Sequence, residues 1–225
     1  MTGSKKFLKK FLTKPSGLIG STIVAILIFS AITAEIISPY SPTKMGAGKR
    51  FSKPSIDYVL GTDEFGRDML SRILYGSRLT LMIGATAVGI SLSTGMFIGL
   101  VAAYRKGILE QILMRGTDVL FSFTETLIAL ACVAVLGPSL ENAVIAVGIA
   151  GIPYYARICY SAALVESSKP YFEACIACGA GHFRLIVYHL LPNVLPTMIV
   201  VSTLGISTAI LAAAGLSFLG LGAQP

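Results

Sequence analysis

Apolar residues in this chain fall into five blocks, and the segments between them hold nearly all the charge. Gly17–Ser38 is apolar apart from Glu35 near its end, and Leu79–Ala103 carries no charge. Val119–Leu136 carries only Glu125, Asn142–Ile158 only Arg157, and Val194–Ala214 none. Each block is close to the ~20 residues that a helix needs to cross the hydrocarbon of a bilayer. The pattern predicts an all-α, polytopic membrane bundle, with spans at about 17–38, 79–103, 119–136, 142–158 and 194–214. A basic start before an apolar run also fits a cleaved signal peptide. This run is long enough to span, however, and no small-x-small site follows it, so we expect a retained first helix.

The polar segments refine this outline. Residues 39–78 form a loop opened by Pro39, Pro42, Gly46 and Gly48, and its second half is LGTDEFGRDMLSRILYGSR, Leu60–Arg78. That half reads as a turn followed by a charged amphipathic helix on the membrane surface. Asp63 and Asp68, with Arg67 between them, could form an acid–base pair, but such chemistry needs a sheltered pocket and the structural reading is preferred. Tyr104–Asp118 reads as a polar turn. Gly95 and Gly99 are a small-xxx-small pair that lets another helix approach closely. Glu125 is an acid inside an apolar block, which makes it a candidate for the translocation path. It also lies within two turns of the block's start, so an interfacial position stays open.

Composition then assigns the solvent. Of 225 residues, 54% are apolar and 13% charged, with a mean hydropathy of +0.78, whereas soluble domains carry about 25% charge. Lipid covering most of the exterior explains the deficit. The net charge of +7 does not indicate nucleic acid. Lys5, Lys6, Lys9, Lys10 and Lys14 cluster beside the first apolar block, where basic residues set topology. Lys and Arg number five in 1–16, three in 104–117 and three in 157–192, against seven in the loop 39–78. The dense lysine cluster puts the N-terminus inside, so residues 1–16 are a cytoplasmic basic tail and 160–192 is cytoplasmic. Five spans leave the C-terminus outside, in mid-loop after Gln224 and Pro225, which suggests that a sixth helix is missing. Cys132, Cys159, Cys175 and Cys178 form no disulfide framework in such a chain.

A polar island, Glu173–Pro192, EACIACGAGHFRLIVYHLLP, lies between two long apolar blocks. Gly179 and Gly181 interrupt a helical pattern there and permit a turn. Glu173 suits the start of a short helix, and Pro192 opens the next span where a missing N–H costs little. Cys175, Cys178, His182 and His189 approach a metal-binding spacing, but the ligand pairs are too close together and the glycines disturb a shared face. We expect no metal and no cofactor. The chain has no G-x-x-x-x-G-K-[ST] loop, so it cannot be its own ATPase, and it has no Ser/His/Asp or H-E-x-x-H arrangement.

Glu173-Ala174-Cys175, three residues, Gly179, nine residues and His189-Leu190-Leu191-Pro192 resemble the EAA motif of ABC importer permeases. Cys175 stands in place of the second Ala and His189 in place of Ile. Leu60–Arg78 and LSFLGLGAQP at 216–225 resemble the peptide/nickel branch in particular. The resemblance implies a permease domain over 79–225 with six membrane helices in the family, five of them present here. It also implies an ATPase-coupling loop at 160–192 that uses Glu173, Ala174, Cys175, Gly179, Gly181, Leu191 and Pro192. The implied partners are two ATP-binding subunits, a second homologous permease chain, an extracytoplasmic solute-binding protein and membrane lipid, in the bacterial cytoplasmic (inner) membrane. The implied cargo is a dipeptide or oligopeptide, with nickel or another metal complex as the alternative, and the chain itself is not an enzyme. The rivals from other classes are an ion-coupled carrier using Glu125 and an intramembrane enzyme using Glu125 or Asp63 and Asp68.

Overall fold

The computed structural model describes residues 15–38, 40–46 and 48–222. The basic tail 1–14 and the last three residues, 223–225, of the C-terminal stretch therefore lie outside the described residues. No strand occurs among those described; the sole bridge pairs Thr62 with Asp68. The chain divides into two compact units, meeting in sequence at Met82 and Ile83.

In the first unit, α1 spans Pro15–Ile37. Its most apolar window is only 11% buried, as expected of a helix whose sides face lipid. Glu35, the one acid in that block, pairs with Arg78 at 2.5 Å. The loop that follows is organised around two aspartates. Asp63 accepts hydrogen bonds from the backbone N–H groups of Phe65 (2.9 Å) and Arg67 (2.8 Å), from Arg67 Nε (3.0 Å) and from Arg72 Nη1. Burial pushes its carboxyl up, but these hydrogen bonds outweigh burial and hold it below the usual carboxylate range. Asp68 caps the next helix, its Oδ2 accepting from Ser71 N (2.9 Å) and Ser71 Oγ (2.6 Å). Both carboxylates are committed to shaping the loop, which leaves neither free for acid–base work.

Helix α2 runs unbroken over Met69–Arg105, 37 residues or about 55 Å. The amphipathic segment expected on the membrane surface is thus the first part of this helix. Charged residues mark where hydrocarbon ends; they do not end a helix, whose backbone stays paired internally in either solvent.

In the second unit the remaining helices are α3 (Ile108–Phe121), α4 (Glu125–Leu136), α5 (Leu140–Ala150), α6 (Ile152–Ser167), α7 (Pro170–Ala177), a single turn α8 (His182–Arg184) and α9 (Leu191–Phe218). Between α8 and α9, Leu185–Leu190 is π-helical. Among the described residues four helical runs are long and apolar enough to span, or five if α3 and α4 form one bent span. Three expectations about element boundaries change. Tyr104–Asp118 is not a polar turn, because α3 occupies most of it. Its Glu110 carboxylate reaches back to the Gly107 N–H at 3.1 Å, closing the helix start. The third block is not a straight helix, because α3 and α4 meet at 92° across Ser122–Thr124. Finally, the fourth helix passes Ile158 and continues to Ser167.

The core forms where α2, α5, α6 and α9 meet, with Ala87, Ala146, Val147, Cys159, Val194 and Ala213 buried. Gly95 and Gly99 are the contact that their spacing suggests. A Cβ at Gly99 would lie 2.7 Å from both Ala156 O and Cys159 Cβ, and one at Gly95 2.8 Å from Ala156 N. Only hydrogen fits between these two backbones.

Candidate coupling loop and interior cavity

The segment around Glu173 is built as a short helix held at both ends. Pro170 starts α7 with a ring that needs no hydrogen-bond partner. Ala177 ends it in a Schellman turn: Gly179 N donates to Ile176 O (2.9 Å) and Ala180 N to Cys175 O (3.1 Å). Gly179 has φ +77°, a left-handed conformation that costs an L-residue with a side chain roughly 1–2 kcal/mol. Gly181 differs from expectation. Its φ of −67° and ψ of 155° suit any residue, and a Cβ there would meet nothing within 4 Å.

The other end of α7 is fixed by a network around Glu166, which is buried at the end of α6. Its carboxylate accepts from Lys169 Nζ (2.5 Å) and Tyr171 Oη (2.6 Å). Tyr171 Oη in turn accepts from Asn193 Nδ2 (3.3 Å). Burial and the neighbouring Glu166 carboxylate push the Tyr171 phenol up to about 12, so it stays a proton donor at working pH. Phe172 packs into the core at 4% exposure. The result is a rigid joint between α6, α7 and the start of α9.

What remains exposed on this joint is the candidate surface. Glu173 and Ala174 are exposed, as are Ile176 (52%) and Phe183 (74%). Those last two apolar side chains were not singled out from sequence, where an Ile or a Phe beside a span reads as membrane-facing. Cys175 is half-buried, its Sγ 3.9 Å from His189 Nδ1. His182 hydrogen-bonds the Tyr104 hydroxyl and meets that ring edge-on at 5.5 Å between centroids. This contact sets the loop against the C-terminal end of α2, beside Arg105 and Lys106. Among the described residues no three His, Cys, Asp or Glu side chains converge on a common point.

Pro192 does not open a separate helix; with Leu191 it lies within one continuous helical run, His182–Phe218. The wide π-helical turn just before Pro192 is the means. Leu191 N donates five residues back to Ile186 O, opening the turn against which a proline ring would otherwise clash. Asn193 Nδ2 takes up His189 O at 2.7 Å.

A second polar feature is a cavity open at the surface of the bundle, where Glu125, Tyr154 and Thr208 are exposed. A cavity of about 220 Å³ opens where α2, α4, α5, α6 and α9 converge, lined by Ser91, Glu125, Gly151, Tyr155, Gly205 and Thr208 among others. Glu125 is the first residue of α4, directly after the bend. Tyr155 is 3% exposed, and its hydroxyl has no hydrogen-bond partner among the described residues. A Cβ at Gly205 would collide with that hydroxyl. Glu125 was a candidate from sequence; Tyr155 and Gly205 were not, because nothing in their spacing distinguishes them from core.

Comparison with known proteins supplies the context. Residues 95–225 match a family described as "Binding-protein-dependent transport system inner membrane component". Residues 4–54 match the "N-terminal TM domain of oligopeptide transport permease C". A di/tripeptide transport system permease of Pseudomonas aeruginosa is 39% identical over 98% of this chain and 75% of its own length. A dipeptide transport system permease of Escherichia coli is 39% identical over 100% of this chain and 77% of its own. One of Haemophilus influenzae is 36% identical over 100% of this chain and 78% of its own.

Proposed function

Because the chain belongs to the binding-protein-dependent transport system inner membrane components, we propose that it is the permease subunit of an ATP-driven importer whose cargo is short peptides. It is a multi-pass membrane protein of the transport class and not an enzyme. The names of its relatives favour peptides over nickel, the alternative cargo. The family works with a binding protein and with ATP-binding subunits. Two copies of the ATPase and a second permease chain complete the assembly in our reading.

The observation that carries the reading is the clamped α7 joint. Coupling to an ATPase requires an element that transmits a rigid-body push to the attached spans instead of absorbing it. A helix tied by Glu166, Tyr171 and Asn193 at one end and by the Gly179 turn at the other meets that need. Glu173, Ala174, Cys175, Gly179, Leu191 and Pro192 then form or support the ATPase contact, and Gly181 serves only as connecting backbone. The exposed Ile176 and Phe183 add the apolar part of that contact. The docking loop is shorter than 160–192, covering roughly residues 168–184. Placing it, Arg105 and Lys106 in the cytoplasm agrees with the positive-inside rule and with a cytoplasmic N-terminus.

The test is reconstitution. The permease with its partner chains, ATPases and binding protein in proteoliposomes should take up a labelled dipeptide only when ATP is supplied and the binding protein is present on the outer side. Uptake by the purified chain alone, or uptake driven by an ion gradient without ATP, would overturn the proposal.

A further inference from the structure

Helix α3 has three faces, and the bundle covers one of them. At about 100° per residue, Met114 and Thr117 share a face, and both are buried. Gln111, Arg115 and Asp118 make an exposed polar stripe beside it. Ile108, Leu109, Ile112 and Val119 lie together on the third face, and all four are exposed.

The orientation of α3 follows from what it is tied to. Glu110 accepts from the Tyr160 hydroxyl, and Asp118 accepts from Arg157 Nη2. Eight residues of α3, about 12 Å, thus match three residues of α6, about 4.5 Å, so the two helices cross steeply. The 92° bend at Ser122–Thr124 sets α3 across α4 as well. α4 packs along α5, and α5 with α6 makes one span, Leu140–Ser167. Helix α3 therefore runs crosswise to the spans, close to the plane of the membrane. Its depth comes from the same span. Arg157 and Tyr160 follow Ser139 by 18 and 21 residues, about 27 and 32 Å, against a hydrocarbon core about 30 Å thick. With the Gly137–Ser139 turn at the outer surface, α3 sits at the opposite, cytoplasmic boundary. The crossing still closes, because α4 contributes about 18 Å and Ser122–Thr124 up to about 10 Å.

We propose that α3 is an in-plane helix seated in the cytoplasmic leaflet, with Ile108, Ile112 and Val119 against acyl chains and Arg105, Lys106 and Arg115 against anionic phospholipid headgroups. Charge decides the occupant. Glu110 and Asp118 are taken up by α6, whereas Arg105, Lys106 and Arg115 form no ion pair among the described residues. Arg115 borders the apolar face, and Arg105 and Lys106 precede its first residue. An apolar face with an uncommitted basic rim matches a leaflet that holds anionic lipid. Because α6 leads into the Glu166 joint, the leaflet becomes a fixed support for the push delivered through α7. The choice of leaflet rests on the importer reading above, whereas the in-plane depth does not.

The chain contains no tryptophan, so a single one introduced on α3 reports its own depth. The full chain is reconstituted in vesicles as Ile108→Trp, Ile112→Trp, Val119→Trp and, on the polar stripe, Gln111→Trp. All four positions are exposed, so each ring enters open space. Quenching by lipids brominated along the acyl chain should give the three apolar-face positions one depth, near the hydrocarbon edge. Gln111→Trp should instead be quenched by aqueous iodide. In a helix crossing the bilayer, Ile108 and Val119 would differ in depth by about 16 Å, and that result would overturn the proposal. In vesicles of equal phosphatidylglycerol and phosphatidylcholine, Ile112→Trp should be quenched about twofold more when the former is the brominated lipid. Lys106→Gln with Arg115→Gln should abolish that preference. Equal quenching before those two substitutions, or an unchanged preference after them, would overturn the headgroup contact and the proposal with it. In the assembled transporter, a photo-crosslinking residue at position 112 should capture lipid, and capture of a partner chain would count against it equally. None of these readouts needs transport, so ATP-independent uptake would remove the importer reading and leave the depth of α3 standing.

Discussion

The turn at Gly179 allows the coupling role to be tested against a control two residues away, at Gly181. Gly179 holds φ +77° at the end of α7, with open space where a Cβ would go. Gly179→Ala therefore meets no neighbour, and its whole cost is conformational, about 1–2 kcal/mol. That energy is stored in the closing turn, so it raises the population of frayed α7 by a factor of about 5–30. If docking needs α7 ordered, the affinity of the ATPase for the permease falls by a comparable factor, and transport falls with it. Gly181→Ala, at φ −67° and also in open space, should change neither. Gly179→Asn should recover part of the loss, because Asn visits the left-handed region more readily. The assay pairs ATPase co-purification and peptide-stimulated ATP hydrolysis with hydrogen exchange at the α7 amides. Equal losses in Gly179→Ala and Gly181→Ala would refute the reasoning, as would faster α7 exchange with undiminished ATPase binding.

Other expectations follow from the same contacts. Tyr171→Phe removes the hydroxyl that links Glu166 to Asn193; the joint should loosen by about 1 kcal/mol, read as reduced coupling of ATP hydrolysis to uptake with membrane insertion unchanged. Gly99→Ala places a Cβ against α6 backbone and should lower the unfolding midpoint in detergent, by roughly 1–3 kcal/mol of overpacking. Gly89→Ala in the same helix meets nothing within 4 Å and should be neutral or stabilising by up to about 1 kcal/mol. Asp63 has its folded pKa below the ordinary value, so its contribution to the loop is present above that ordinary value and is lost as pH falls through the folded one. Acid should therefore loosen residues 40–68 in wild type, measured by proteolysis, while Asp63→Asn should be loose at neutral pH and insensitive to that acid step.

How far the chain could be read in advance follows from what each residue pattern reports. Hydropathy delivered the all-α membrane class and the order of the apolar blocks, because any segment crossing hydrocarbon must satisfy its backbone internally and cover itself with apolar side chains. Gly179 was legible because a glycine after a short helical pattern has one common structural meaning, and Gly95 with Gly99 because small residues four apart make a flat helix face. Gly181 was misread because a glycine in a turn need not occupy the conformation that only glycine prefers. Helix ends were misplaced at α2, α3 and α6 because backbone hydrogen bonding continues past the edge of the apolar block. The bend before Glu125 was invisible because Ser122–Thr124 contains neither proline nor glycine.

The sequence by itself determined the solvent of this protein, the number of its apolar blocks and the turn chemistry around Gly179. Those depend on composition and on neighbours a few residues away. Only the tertiary structure decided which side chains face each other inside the bundle. Lipid and protein interior are equally apolar to a side chain, so hydropathy cannot separate the helix face turned to one from the face turned to the other. That is why Glu166, Tyr171 and Asn193 became a clamp, and Glu125, Tyr155 and Gly205 a cavity, only once the helices were packed.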